Sequence, residues 1–333
     1  MLSSMTNGDG LGPPVRGHIR RADHRRVSHG LFLRVDPSAD PDSDEETPRD
    51  LHAWLLVLPP GAAFTHLTGA WLRGWQLPTL PDRPPVFAAV GRTDGRPRRS
   101  GLICSRLARD EPLGTARGLP VEPATEILLR AARDLGLLDL VVLVDSARRR
   151  RDVSDADMQT VLLSRRPGVR LLREAWRLSS SQAHSAGETL LRLFHVAMDV
   201  DVEPQAILHD EAGHVVGHAD LLVVGTRHLH EYDGAHHRAR KQQRTDLRRS
   251  RGLSQWGYDR RGFTLDDLVN HPAIAMHELD RELDRGHERQ RLERWRLWLG
   301  QSLYCDTGRR RLVNRWRRQM GVVEWAGTTR PGA

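Results

Sequence analysis

Asp220 lies inside an otherwise apolar run, Ala219-Asp220-Leu221-Leu222-Val223-Val224, and a second run of β type closes on Glu231-Tyr232-Asp233-Gly234. A carboxylate set among strand aliphatics is costly to bury unless a charge or a hydrogen-bond donor meets it. Asp220, Glu231 and Asp233 are therefore the residues of this chain best placed to do chemistry. Register decides whether they meet. If an even-numbered turn joins the strands, such as Thr226-Arg227 between Gly225 and His228, Asp220 pairs across from Asp233 and Leu222 from Glu231. Alternation then projects all three acids from one face. An odd-numbered turn puts Tyr232 on the Asp220 face instead. Three crowded carboxylates repel one another unless a cation joins them, and an all-oxygen cluster selects Mg²⁺ or Mn²⁺. Such an ion polarises a scissile phosphate and lowers the pKa of an attacking water, which is the chemistry of phosphodiester hydrolysis.

The elements that must carry these acids follow from periodicity and turn signals. Glu188 to Met198 has helical spacing. Strands are expected at Glu203 to His209, Val215 to Val224 and His228 to Tyr232, separated by Asp210-Glu211-Ala212-Gly213 and Gly225-Thr226-Arg227. A polar helix over His236 to Arg251 follows, then a short strand over Gln255 to Arg260 and a helix opening at Thr264, a good N-cap. The order is helix, three strands, helix, strand. Ser185-x-x-Glu188 has the spacing of a capping box as well as that of an acid-bearing helix start. His214, His218, His228, His230, His236 and His237 crowd the same region. With no cysteine among them and alternating strand positions, surface histidines are expected rather than a zinc site.

Residues 185 to 261 resemble the PD-(D/E)XK nuclease superfamily, specifically its very-short-patch repair endonuclease-like domains. The likeness rests on Glu188 in the leading helix, Asp220 in the second strand, Glu231-Tyr232-Asp233-Gly234, His237, and Asp246 to Arg249 in the next helix. It implies a restriction-endonuclease-like core, with Asp220 as principal metal ligand and Glu231 and Asp233 beside it. Glu188 would be the leading-helix acid, His237 would orient water or move a proton, and the cofactor would be Mg²⁺ or Mn²⁺. His236 is adjacent and an alternative for that proton role. Asp246 and Arg249 share a helix face with Gln242 and are expected to be structural. The superfamily lysine is absent, because Asp233 stands at its position and Lys241 falls on the following helix. The implied activity is metal-dependent DNA endonuclease. The alternative is a DNA-binding regulator or antitoxin that keeps the fold without the chemistry.

The rest of the chain frames that core. Residues 1–50 are expected to comprise a disordered lead, a vestigial winged-helix segment whose wing strand is Leu31-Phe32-Leu33, and an acidic loop over Asp36 to Glu46. An α+β module is expected over 51–178, with a helix from Thr65 to Trp75, strands at Pro85 to Val90 and Gly101 to Arg106, and helices over Thr125 to Asp134 and Leu137 to Ala147. Phe64-Thr65-His66-Leu67-Thr68, Trp71 and the Leu137 to Val144 helix resemble the middle portion of actinobacterial abortive-infection (type IV) antitoxin proteins, which implies a toxin as partner. The nuclease-like domain spans 179–270, and a basic helical extension runs over 271–333, helical from His277 to Leu299. In Arg309 to Arg318, Trp316 stands among arginines, a pattern that suits nucleic acid but also gives Leu312 and Trp316 the spacing of a buried helix stripe. The fold class is thus α/β.

Composition agrees with a polyanionic partner, DNA. Of 333 residues, 51 are Lys or Arg against 43 Asp or Glu, giving +8, and nearly all the cations are arginine, whose fork matches phosphate oxygens. The two cysteines, Cys104 and Cys305, are far apart, which excludes a disulfide framework and fits a reducing compartment. No apolar run reaches the length of a bilayer crossing. A soluble cytoplasmic protein without membrane contact is expected.

Overall fold

The computed structural model describes residues 12–17, 22–37, 46–107, 112–234 and 253–321. These form two compact units, one from 12–73, 82–127 and 313–321, the other from 74–81 and 128–312. The division expected near residue 178 is not where the chain parts. Residues 128–178 and 271–312 group with the nuclease-like segment.

In the first unit, β1 (Val15–Arg16), β2 (His24–Ser28) and β3 (Leu31–Arg34) form an antiparallel sheet in the order β1-β3-β2. Alternation buries Leu31 and Leu33 against Ala53 of α1 (Glu46–Leu55), so the expected strand at Leu31 is present. Next come β4 (Ala63–Phe64), α2 (His66–Leu72), β5 (Val86–Val90), β6 (Leu102–Arg106), β7 (Gly114–Ala116) and β8 (Leu119–Val121). Their sheet runs β6-β5-β4-β8-β7, with Trp54, Phe64, Leu72, Val90, Leu119 and Val121 in its core. α3 (Ala124–Ala131) follows, its residues from Leu128 counted with the second unit.

The second unit opens with α4 (Leu137–Arg149), buried on every side from Leu137 to Ala147, which is why its sequence is apolar all round. Two helices absent from the sequence-based expectation follow, α5 (Asp155–Leu162) and α6 (Val169–Leu178). A capping box of Ser154 and Asp157 starts α5. In α6 the buried Val169, Leu172, Ala175 and Leu178 stand three apart among arginines, a sparse stripe. α7 (Ala186–Ala197) is tied to α4 by a buried ion pair, Arg192 to Asp145 at 2.7 Å, with Thr189 Oγ1 and the Ser180 N–H also donating to Asp145.

Then come β9 (Val202–His209), β10 (Val215–Val223), β11 (His228–Tyr232) and β12 (Asp259–Phe263), in a sheet ordered β12-β11-β10-β9. The first three are antiparallel neighbours, and β12 runs parallel to β11. The expected succession of helix, three strands and a further strand is observed, so the chain is mixed α/β. The last strand starts at Asp259 rather than Gln255, because Leu253 to Tyr258 form a turn through Gly257 at φ 74. The helix expected over His236 to Arg251, with His236, His237, Lys241, Gln242, Asp246 and Arg249, lies outside the described residues.

α8 (Leu265–Val269) begins at the Thr264 cap. The single helix expected from His277 to Leu299 is two, α9 (Pro272–Glu282) and α10 (Arg289–Leu299). They part at Asp284, which takes φ 46, and Arg285, whose guanidinium reaches back to Asp280 and to the Met198 carbonyl. α11 (Asp306–Met320) buries Leu312 and Trp316, with Trp316 edge-on to Phe87 at 5.5 Å. The aromatic among the arginines is a packing anchor. Among the described residues no helix is long and apolar enough to cross a membrane.

Candidate functional site

Register fixes what the acids of β10 and β11 can reach. Leu221 pairs with His230 and Leu222 with Leu229, which puts Asp220 across from Glu231, two residues from the expected pairing with Asp233. The connection Val224-Gly225-Thr226-Arg227 is even-numbered, so by alternation the three acids keep a common parity. They nevertheless engage three different partners. Beyond Leu221 the ladder stops, and Asp220 Oδ2 accepts the Tyr232 N–H at 3.0 Å in place of a strand carbonyl. Glu231, only 7 % exposed, is ion-paired with Arg260 of β12. Asp233 is exposed, and its carboxylate lies over Gly262, where an added Cβ would fall 2.0 Å from Oδ2. Among the described residues no group of three or more His, Cys, Asp or Glu side chains is arranged to hold a metal ion. The trio expected to ligate Mg²⁺ is therefore not assembled, because β12 draws Glu231 and Asp233 away from β10.

What does meet is Glu188 and Asp220. Pairings on either side, Ala219 with Ala206 and Leu221 with Pro204, put Gln205 of β9 across from Asp220. Gln205 takes φ 53, a left-handed conformation inside a strand, just after a proline that cannot donate to the ladder. Its amide Nε2 donates to Glu188 Oε2 at 2.8 Å and approaches Asp220 Oδ1 at 3.5 Å. Ser185 caps α7 by accepting the Glu188 N–H at 3.1 Å. The reciprocal half of a capping box is absent: the Glu188 carboxylate goes to the His184 N–H and to Gln205 instead. Both carboxylates are half-buried. Tyr232 completes the corner, its ring seated where a Cβ on Gly187 would fall 2.0 Å away, so only glycine fits the start of this helix. Burial raises the Tyr232 hydroxyl above the usual phenol range.

Tyr232 and Asp233 form one wall of a cleft of about 840 Å³, shared with Thr264, Asp266, Asn270, Tyr304 and Asp306. No family model, curated protein or solved structure matches this chain.

Of the site residues expected from sequence, Glu188 and Asp220 converge, Glu231 and Asp233 do not join them, and His237 lies outside the described residues. Gln205 was missed. Its only sequence signal is the proline before it in a strand.

The histidines expected at the surface divide. His214 and His218 are exposed, but His230 is fully buried. His195 Nδ1 meets the Leu191 carbonyl at 2.8 Å, its Nε2 meets His230 Nδ1 at 2.7 Å, and His230 Nε2 meets Glu282 at 2.8 Å. A carbonyl and a carboxylate both only accept, so the outer nitrogens of the two rings, His195 Nδ1 and His230 Nε2, are the donors. Burial holds His195 down to about 3, so that ring is neutral. Burial opposes the charge on Glu282. His230, Arg261 and His228 outweigh it and hold Glu282 below its ordinary value.

Proposed function

We propose that the second unit is a divalent-metal-dependent DNA endonuclease of the restriction and very-short-patch repair type, with Glu188 and Asp220 as its metal-holding carboxylates. The observation that carries this reading is the Gln205 amide N–H lying between those two carboxylates where the β10–β11 ladder ends. A donor held between two acids marks a point of negative potential, and that donor set fits Mg²⁺ or Mn²⁺, which need only one or two carboxylates beside water and phosphate oxygens. When bound, such an ion polarises a phosphate and lowers the pKa of an attacking water.

The chain's own residues orient and exclude. The Tyr232 N–H fixes the Asp220 carboxylate, Ser185 fixes the first turn that presents Glu188, and the Tyr232 ring on Gly187 keeps water from one side of the corner. Asp233, exposed at the cleft, stands near the position of the missing lysine, so the site depends on its acids alone. Purified protein is expected to nick plasmid with Mg²⁺ or Mn²⁺. Asp220→Asn and Glu188→Gln should each lower the rate about 100-fold or more, whereas Glu231→Gln should change it only a few-fold. No metal-dependent nicking on duplex, mismatched or single-stranded DNA would reject the reading.

One observation favours the second reading, a DNA-binding regulator or antitoxin of an abortive-infection system. The Glu231 to Arg260 ion pair neutralises an acid that a nuclease of this type would keep for its metal. That reading expects salt-dependent DNA binding unchanged by Asp220→Asn, and capture of a toxin expressed with it.

A further inference from the structure

We propose that the pocket between the end of α4 and the start of α7 is a DNA phosphate subsite. It holds one backbone phosphate of the strand whose next phosphate stands at the corner of Glu188 and Asp220. The inference rests on the DNA-directed reading above and adds a binding site to it. The pocket has a volume of about 210 Å³, and its wall includes Gln76, Ser146, Arg149, Arg150, His184 and Ser185, all in the second unit. That volume suits a tetrahedral phosphate with a few waters. The Gln76 N–H donates to Ser146 Oγ at 2.8 Å, which ties residues 74–81 to α4. Arg150 packs on Gly74, which takes φ 70. A Cβ added there would fall 3.5 to 3.6 Å from the guanidinium carbon and both terminal nitrogens, so the fork meets Gly74 by its face. A guanidinium packed by its face keeps its N–H edge for oxygen acceptors.

The arginines at this helix end are used differently. Arg148 is engaged within the chain, 3.7 Å from Asp155, donating to Ser179 Oγ at 2.9 Å and lying over the Trp176 ring at 4.6 Å. Arg149 meets a neutral acceptor, the Ala183 carbonyl at 3.4 Å, a contact that leaves its charge uncancelled. The one carboxylate in the pocket wall, Asp145, is answered by Arg192 at 2.7 Å, by Thr189 Oγ1 and by the Ser180 N–H. Arg149 and Arg150 therefore set the sign of the pocket. The dipole of α4 accounts for cations at its C-terminal end, but not for their gathering round one cavity with Gln76 and Ser185. His184 joins this pocket to the acidic corner, because it stands in the wall and its N–H is the one that Glu188 Oε2 accepts at 2.8 Å. A positive site thus adjoins a pair of carboxylates. A phosphodiester strand matches that alternation when one phosphate meets a metal ion and the next meets arginine. Free phosphate shares the chemistry of the pocket, but only a strand engages both places at once.

The test is the salt dependence of duplex binding by the full chain in EDTA, with Arg149 and Arg150 replaced together by Gln, and separately by Lys. Both are exposed, and an unchanged melting curve verifies the fold. The Gln variant is expected to bind on the order of 10-fold more weakly near 0.15 M salt, with a log–log salt slope flatter by roughly 0.9, the value of one phosphate contact. The Lys variant should keep the slope. In plasmid nicking the Gln variant should raise KM on the order of 10-fold and hold kcat within about 3-fold, because the contact is made alike before and during the reaction. A Gln variant with wild-type affinity and slope would overturn the proposal, as would a Lys variant as flat as the Gln variant. Inorganic phosphate that binds the wild type more tightly than duplex does would also overturn it, since the pocket would then be a site for the free ion. The endonuclease reading fails separately. Wild-type protein that shows the slope difference and nicks nothing loses its enzyme assignment but keeps the subsite, whereas a Gln variant that binds and nicks like wild type keeps the enzyme and loses the subsite.

Discussion

Two polar systems flank β11 in the second unit, and they balance their charges differently. The first, His195–His230–Glu282, is buried and ties the Glu282 carboxylate to the His230 ring and to the neighbouring Arg261, so its polar groups answer one another inside the protein. The second, Glu188–Gln205–Asp220, is half-buried and holds two carboxylates around a neutral amide carried on a left-handed residue. A buried network of this kind is what a fold uses to fix an arrangement. Two half-buried carboxylates gathered at a left-handed residue are what a binding site looks like.

The largest effect is expected from breaking the closed system. Glu282→Leu leaves His230 Nε2 and Arg261 without the carboxylate they meet, and removing one partner of a buried pair typically costs about 3–5 kcal/mol. Urea unfolding at pH 7 should show that loss. Nicking per folded molecule should be unchanged, since neither His195 nor His230 touches the acidic corner. A loss under about 1 kcal/mol would mean that Glu282 is not what holds this network, and the two systems would then not differ in kind.

The open system should break in a divided way. Asp220→Ala leaves the Tyr232 N–H without its acceptor and should cost about 1–3 kcal/mol, whereas Asp220→Asn keeps an acceptor oxygen and should cost less than about 1 kcal/mol. Both should lose nicking alike, because an amide is a poor substitute for a carboxylate at a cation. Denaturant midpoints and plasmid assays on the same preparations separate the two duties. If Asn and Ala variants were equally unstable, Asp220 would be held by something other than the backbone N–H.

How much of this was legible in sequence follows from what each signal depends on. Strand positions 202–232 and the Thr264 cap were readable because alternation and capping are local. The parity of the three acids was readable too, since it needs only an even turn. Their separation was not, because it depends on β12, whose Arg260 and Gly262 draw Glu231 and Asp233 toward a strand distant in sequence. Gln205 was invisible for the same reason: a glutamine in a strand acquires meaning only from Glu188 and Asp220 on either side. The burial of His230 was hidden because Glu282, which accepts from it, sits on a helix fifty residues further along. α6 escaped notice because four charged residues break up its six apolar ones.

The effect of Asp139 is a slope with pH rather than a loss at one pH, and it masks part of what His195 does. Burial raises this carboxyl to about 7, against the pull of Ser302 Oγ at 2.5 Å and the Leu303 N–H. In the unfolded chain it ionises above 3.8, and in the folded protein it keeps its proton to about 7, so it costs stability as pH rises across that interval. His195 works in the opposite direction. Its ring takes a proton below 6.5 when unfolded and only near 3 when folded, so stability falls as pH drops from 6.5 toward 3. Between about 3.8 and 6.5 the two slopes oppose each other, and a flat wild-type profile there is expected from these groups. Asp139→Asn removes one slope and keeps an acceptor for Leu303. Relative to wild type, its unfolding free energy should therefore decline by up to about 1.4 kcal/mol for each pH unit of acidification across the overlap. Parallel urea titrations at pH 4.5, 5.5 and 6.5 measure that difference. Equal slopes for the two proteins would mean that Asp139 is ionised in the fold, and the buried proton balance of this unit would then have to be reassigned, beginning with His195.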